Sequence, residues 1–226
     1  MDKRIILAVA GAGKTYTICN DLDSEKNNLI LAFTRQNVAN IKAELEKKYT
    51  NIPNSVRIMT FHSFVYRMIV LPYFPSFLKK YNIEPLKLNG VTFKDPPPST
   101  FIKNGYRIKN KNYYKVDNIK HYVVNNQIYC SLMTALCNKD KKVLKRAVKN
   151  LSQFFDKIYI DEFQDFRNED YKFISYVYKN IDNICLVGDY FQHSVSGINN
   201  SGSPFKKIKI MLNMINIYSR LNLKIL

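Results

Sequence analysis

The segment Arg4 to Thr15, RIILAVAGAGKT, constrains this chain more than any other part of it. A short apolar run meets a glycine-rich turn, and a lysine and a threonine follow at once. That is the pattern of a buried strand turning into the N-terminus of a helix. Ala8 to Thr15 (AVAGAGKT) fits the phosphate-loop form GxxxxGK[ST], with alanine in place of its first glycine. In such a loop Gly11 and Gly13, with Ala10 and Ala12 beside them, let backbone N–H groups wrap a chain of phosphates. Lys14 then neutralises the outer phosphates, and Thr15 offers a hydroxyl to Mg2+ at the positive end of the helix. A glycine turn that merely happens to precede GKT would not need the strand before it and the helix after it.

The same alternation continues downstream. Arg4 to Val9, Leu29 to Phe33 and Val56 to Met59 read as buried strands, and Asn37 to Lys48 carries Val38, Ile41 and Leu45 at helical spacing. TFHSFVYRMIV, from Thr60, turns helical near Ser63. After a long break, Val143 to Phe155 reads as a helix, Lys157 to Ile160 as a strand, Asp170 to Tyr178 as a helix and Asn183 to Asp189 as a fifth strand. Buried strands alternating with helices predict an α/β fold with a parallel sheet, whose ligands gather at the carboxyl ends of the strands.

The break itself, from Leu71 to about Asp140, is rich in Pro, Asn, Lys and Tyr, includes the run Pro96 to Pro98, and has no clean period. It reads as an inserted lobe. The formal charge of +17 is concentrated there and in the tail: Leu71 to Asn150 holds 16 Lys+Arg against 4 Asp+Glu, and Ser203 to Leu226 holds 5 against 0. Those two excesses, 12 and 5, account for the whole charge, so the motif-bearing remainder is neutral. A segregated basic surface beside neutral motifs suggests contact with a polyanion, most simply nucleic acid, whereas a bias toward Lys and Asn codons would spread the charge evenly. No apolar run approaches the ~18 residues of a membrane span, and the N-terminus lacks a leader's cleavage pattern, so neither is expected. Cys19, Cys130, Cys137 and Cys185 lack CxxC spacing, which favours reduced thiols in a cytoplasmic setting.

Two further strand ends carry acids. In Ile158 to Asp165, IYIDEFQD, an apolar strand delivers Asp161 and Glu162 to its carboxyl edge, where the first acid can hold Mg2+ and the second polarise a water. Alone, such a pair is usually a solvated turn; behind a phosphate loop it reads as catalytic. In Leu186 to Gln192, LVGDYFQ, Asp189 and Gln192 end another strand, a weaker signal because GD turns are common. A guanine-specific NKxD motif is absent, the nearest match (Asn138 to Lys141, NKDK) failing at its last position, and a protein kinase's glycine loop has a different form. Spacing alone leaves a small-molecule kinase open.

Taken in order, AVAGAGKT, LAFTRQN, TFHSF, IDEFQD and VGDYFQHS resemble the N-terminal half of the UvrD/Rep-like superfamily 1 DNA helicases. The resemblance covers Ile5 to Ser196 except between Tyr66 and about Leu151, where only position and basic character agree. It implies a discontinuous RecA-like ATPase domain (1–66 and 151–202), a smaller, mainly helical basic lobe (67–150) that touches duplex DNA, and an unassigned basic tail (203–226). It further implies an ATP-driven motor, with Mg2+ as cofactor, that walks 3′ to 5′ on single-stranded DNA. Residue by residue, Lys14 and Thr15 become phosphate and magnesium ligands, Asp161 the magnesium carboxylate and Glu162 the base for water. Gln164 and Gln192 couple the γ-phosphate to DNA, and Phe33, Thr34, Thr60 and His62 fall where the family holds the single strand by stacking and phosphate contacts. Phe33 reads equally well as core.

The chain also departs from that pattern. Only seven residues precede Ala8, leaving no counterpart to the family's adenine-reading glutamine, and Tyr16 replaces a common arginine, offering a ring to stack on the base. Val195 and Gly197 stand at aromatic DNA-contacting positions. The chain ends before a second RecA-like domain, so the expectation is an ATP-binding half-motor with weak DNA-stimulated ATPase at most, completed by a partner chain, or else a truncated remnant. The alternative from another class is a nucleic-acid-binding module that loads nucleotide without turning it over.

Overall fold

The computed structural model describes residues 2–8, 11–83 and 86–189, together with the backbone of 223–225. Two compact units result, one from residues 1–64 with 145–226, the other from 65–144.

The first unit is built on a six-stranded sheet. Strands β1 (Asp2–Leu7), β2 (Asn28–Ala32), β3 (Val56–Thr60), β9 (Lys157–Ile160), β10 (Asn183–Gly188) and β11 (Leu223–Ile225) lie in the order β11-β1-β10-β9-β2-β3. Every neighbouring pair is parallel. The α/β reading with a parallel sheet is therefore what the chain forms. Helices α1 (Lys14–Asp21) and α2 (Arg35–Lys48) cover one face, and Ile6, Ile30, Ala32, Tyr159, Cys185 and Val187 pack there against Ile18, Cys19, Ile41 and Leu45. Strand alternation turns Leu29, Leu31, Ile158 and Ile160 to the other face, all of them buried. Because β2 is buried at every position, it reads as a continuous apolar run and not as an alternating one.

Several elements start earlier than hydrophobic spacing predicts, and side-chain caps explain two of them. Helix α2 begins at Arg35 and not Asn37 because the Thr34 hydroxyl accepts from the Asn37 N–H at 3.1 Å. Helix α3 (Phe61–Phe64) begins two residues before Ser63 because Thr60 Oγ1 accepts from the Ser63 N–H at 3.3 Å. It continues as a π-helical stretch over Val65–Val70. Helices α6 (Lys141–Phe154) and α7 (Asn168–Asn180) each begin two residues before the predicted spans; α6 ends one residue short of its span and α7 runs two residues past its own.

At the amino-terminal edge of the sheet an ionic cluster ties the end of α1 to β1 and β9. Asp21 accepts from Arg4 Nη2, from Lys157 Nζ at 2.8 Å and from the Tyr159 hydroxyl at 2.9 Å, while Asp2 pairs with both Arg4 and Lys157. Burial works against the Asp21 carboxylate, but the hydrogen bonds from Arg4, Lys157 and Tyr159 outweigh it and hold its pKa below the usual range.

The second unit adds short strands to its helices. Besides α4 (Leu71–Lys79) and α5 (Met133–Lys139) it carries a three-stranded sheet, β4 (Gly90–Thr92), β8 (Gln127–Tyr129) and β7 (Val123–Val124), and a hairpin, β5 (Thr100–Lys103) with β6 (Tyr106–Lys109). Two-residue turns cause this. Asn104-Gly105 (φ 49° and 78°) and Asn125-Asn126 (φ 47° and 58°) adopt the paired positive φ that closes a tight hairpin with the right-handed strand twist. Among the described residues, no helix is long and apolar enough to cross a membrane.

Candidate nucleotide-binding site

Three strands of the first unit end side by side. Strand β10 lies between β1 and β9, so the loop after β1, the acidic turn after β9 and Asp189 after β10 share one stretch of the carboxyl edge. The Ala8 N–H donates to the Gly188 carbonyl at 3.0 Å, holding the start of the loop against β10. Gly11 and Gly13 take φ of 79° and 76°, the left-handed region in which an L side chain is strained. Gly13 is the N-cap of α1, so the free N–H groups of the first turn face the loop, as a phosphate cradle requires. Lys14 and Thr15 are the first two residues of that helix, Thr15 is half-buried and Tyr16 is 61% exposed. Ala10 and Gln192 lie outside the described residues.

Lys14 points inward, 8% exposed, and its Nζ stands 3.5 Å from Asp189 Oδ2, which is 1% exposed. On the acidic turn, Glu162 adopts a left-handed backbone (φ 52°), which bends the chain sharply after β9 and starts a short turn of 3-10 helix, Phe163–Asp165. Gln164 is the hub of this edge. Its Nε2 donates to Glu162 Oε2, its Oε1 accepts from the Asp189 N–H at 2.9 Å, and its carbonyl accepts from Arg167 at 2.8 Å. One side chain thus cross-links β10 to the turn after β9.

The charges are unbalanced. Asp161, Glu162, Asp165 and Asp189 are opposed by Lys14 and Arg167. Burial pushes the Asp161 carboxyl up to about 7, with the Glu162 carboxylate adding to the rise against the pull of the Glu162 N–H and of Lys14. Burial, with help from Glu162, likewise raises Asp165 to about 6 against Arg167 and Lys14. Asp165 Oδ1 is buried and has no hydrogen-bond partner. A divalent cation fits this donor set: it would relieve the carboxylates that desolvation penalises. No group of three or more ligating side chains occurs among the described residues, but Mg2+ binds through one or two carboxylates plus phosphate oxygens and water, so Thr15 and Asp161 suffice.

The second set of expected residues falls on the same edge, at the ends of β2 and β3. Phe33 and Thr34 follow β2, Thr60 ends β3 and His62 lies in α3. Phe33 is half-buried, its ring edge-on to His62 at 5.8 Å and to Phe166 at 5.3 Å, while Phe61 meets Phe166 at 4.6 Å. Burial lowers the His62 pKa, and Asp170, whose Oδ2 is 3.9 Å from His62 Nε2, only partly opposes it. The ring is therefore neutral at neutral pH. The Thr34 and Thr60 hydroxyls both serve as helix caps.

Phe166, Asp165, Arg167 and Gly188 were not singled out from the sequence. The last acid of IDEFQD was the available signal for Asp165, since a third carboxylate three residues after the pair returns to the same turn. Phe166 joins the two sets, because the segment that carries Asp161, Glu162 and Gln164 also inserts this ring between Phe33 and Phe61.

A family model described as an AAA domain matches residues 2–197, most of the chain. The chain belongs to this AAA domain family. It is thus a P-loop nucleotide-binding domain, and Lys14, Asp161 and Glu162 all fall within the matched span. A search of curated proteins finds no significant match to this AAA domain.

Proposed function

We propose that the chain binds ATP with Mg2+ through Gly11 to Thr15 and Asp161 and hydrolyses it in response to single-stranded DNA, as the ATP-binding half of a 3′ to 5′ helicase or translocase of the UvrD/Rep type. The observation that carries this reading is the convergence of Lys14, Asp161, Glu162, Gln164 and Asp189 on adjacent strand ends, with Phe166 linking them to Phe33, Phe61 and His62. Four carboxyls against two cations would repel a bare triphosphate, so the nucleotide is expected to enter as its magnesium complex. When bound, Mg2+ neutralises the oxygens of the outer phosphates. Lys14 leaves Asp189 to meet the phosphates, and Glu162, tethered by Gln164, accepts the proton of the attacking water as its oxygen bonds to the γ-phosphorus and the bond to the β,γ-bridging oxygen breaks, with the nucleoside diphosphate as leaving group. Loss of the γ-phosphate then shifts Gln164 and its neighbour Phe166, a motion the DNA-facing residues would feel.

The inserted unit supports a nucleic-acid partner independently. On the β5–β6 hairpin every residue is exposed, and Phe101, Ile102, Tyr106 and Ile108 stand among Lys103, Arg107 and Lys109, with Lys103 paired to Tyr106 and Ile102 to Arg107. Rings beside cations suit bases and phosphates.

ATP turnover with and without a single-stranded oligonucleotide, in wild type, Glu162→Gln and Lys14→Ala, tests the proposal. DNA-stimulated hydrolysis that Glu162→Gln reduces about 10²- to 10⁴-fold while nucleotide still binds is expected. Wild-type turnover no greater than that of Lys14→Ala would remove the catalytic reading and leave the non-hydrolysing binding module.

A further inference from the structure

The inserted unit contains an open cavity of ≈ 670 Å³, within the range of small-ligand sites of about 300 to 1,000 Å³. Its floor is apolar: Ile119 and Val123 are buried, and Ile83 and Pro97, from the triple-proline run, line it beside them. Tyr114 contributes an aromatic wall, with Lys120 Nζ 5.5 Å from its ring centre. The rim is made of carboxamides. Asn112, Asn125 and Asn126 line the cavity, are exposed, and make no side-chain hydrogen bond to the described residues. Asn125 and Asn126 form the tight turn between β7 and β8, with Val124 paired to Gln127, so the register of the turn holds both in place.

We infer that this cavity takes one base of a single-stranded nucleic acid, stacked on Tyr114, with its edge read by the asparagines and its phosphate held by Lys120. Four features favour that occupant. An apolar cavity beside an aromatic ring suits a base face. A carboxamide offers both a donor and an acceptor, as base edges do. Among the described residues, no acidic side chain lines the cavity. The surrounding stretch from Leu71 to Asn150 carries 16 Lys+Arg against 4 Asp+Glu, which attracts a polyanion. An apolar side chain of a protein partner would fill the cavity but leave three carboxamides unmatched.

The inference rests on the single-strand part of the proposed function but not on ATP hydrolysis. Binding of the full chain to a fluorescent single-stranded oligonucleotide, and to the same strand with one abasic position, tests it. The variants are Tyr114→Ala and the pair Asn125→Gly with Asn126→Gly, which keeps the positive-φ turn and removes both carboxamides; far-ultraviolet circular dichroism checks their folding. Tyr114→Ala should bind about 5- to 100-fold more weakly, the loss of one stacked base. Wild type should prefer the intact strand to the abasic one, and both variants should lose that preference. If wild type binds the strand but both variants bind within twofold and keep the preference, the cavity is not a base site and the proposed function stands. If wild type binds no strand, both fall. If a free nucleoside monophosphate competes as well as the strand does, the occupant is a free nucleotide, and the assignment to a strand is overturned.

Discussion

Gly188 is the position where the geometry makes its sharpest demand. A Cβ added there would lie 2.5 Å from Gln164 Oε1, 2.6 Å from Phe163 Cδ1 and 2.7 Å from Phe163 Cε1. Unlike Gly11 and Gly13, Gly188 does not use a positive φ, so the penalty of Gly188→Ala is one of space alone. The end of a free glutamine could swing aside cheaply. Gln164 cannot, because Glu162 and the Asp189 N–H hold its amide, and the Phe163 ring is 4% exposed. Overpacking a well-filled site costs about 1–3 kcal/mol. Loss of the bond from the Asp189 N–H adds about 1 kcal/mol. The sum, about 2–4 kcal/mol, corresponds to a fall in Tm of roughly 4–16 °C for a chain of this size. Thermal unfolding followed by circular dichroism reads that shift, and titration with a fluorescent ATP analogue should show weakened binding as the turn that carries Asp161 and Glu162 is displaced with Phe163 and Gln164. Because the clash is with Phe163, adding Phe163→Leu to Gly188→Ala should recover part of the lost Tm. A Gly188→Ala protein within 1 °C of wild type would refute the close packing of β10 on the acidic turn, and an additive double mutant would refute Phe163 as the obstacle.

Lys14→Ala should abolish nucleotide binding and also destabilise the chain by about 3 kcal/mol, since it takes the cation from the buried Asp189 carboxylate; adding Asp189→Asn should restore Tm but not binding, and an unchanged Tm in the single variant would count against the pair. The Asp21 cluster gives a pH signature. Because its folded pKa is held below the unfolded value, its stabilisation is complete above the unfolded pKa of ~3.9 and is lost as pH falls through the folded one. Asp21→Asn should therefore lower Tm at pH 7, by about 1–3 kcal/mol of stability, and converge on wild type at low pH; a pH-independent difference would show that the carboxylate's charge is not what matters. Affinity for single-stranded DNA should fall steeply with salt, with a log–log slope of about −0.7 for each phosphate neutralised. A flat dependence would remove the basic surface from the DNA reading.

Much of this site is legible in the order of residues. The strand before AGAGKT, the acids ending KIYI and NICLVG, and the spacing of Val38, Ile41 and Leu45 are local patterns, and each places its motif at a strand end or on a helix without tertiary knowledge. Caps shifted the boundaries of α2 and α3 because one hydroxyl from Thr34 or Thr60 adds turns that hydrophobic spacing does not register. The inserted unit was less legible, although Asn104-Gly105 is a strong hairpin signal, because its strands are only two to four residues long and bury too little to show a period.

What the sequence by itself determined is the chemistry at each strand end: a phosphate loop at β1, paired carboxylates at β9 and a lone aspartate at β10. Only the tertiary structure decided which ends are neighbours. Parallel strands pair through backbone groups that any residue supplies, so local pattern cannot say that β10 lies between β1 and β9. That order brings Asp189 to Lys14, seats Gln164 over Gly188, and buries Asp161 and Asp165 deeply enough to raise their pKa values. Desolvation is a property of the assembled surroundings and not of the residue. The phosphate loop could be read letter by letter, whereas the acidic site that faces it exists only once three strands close side by side.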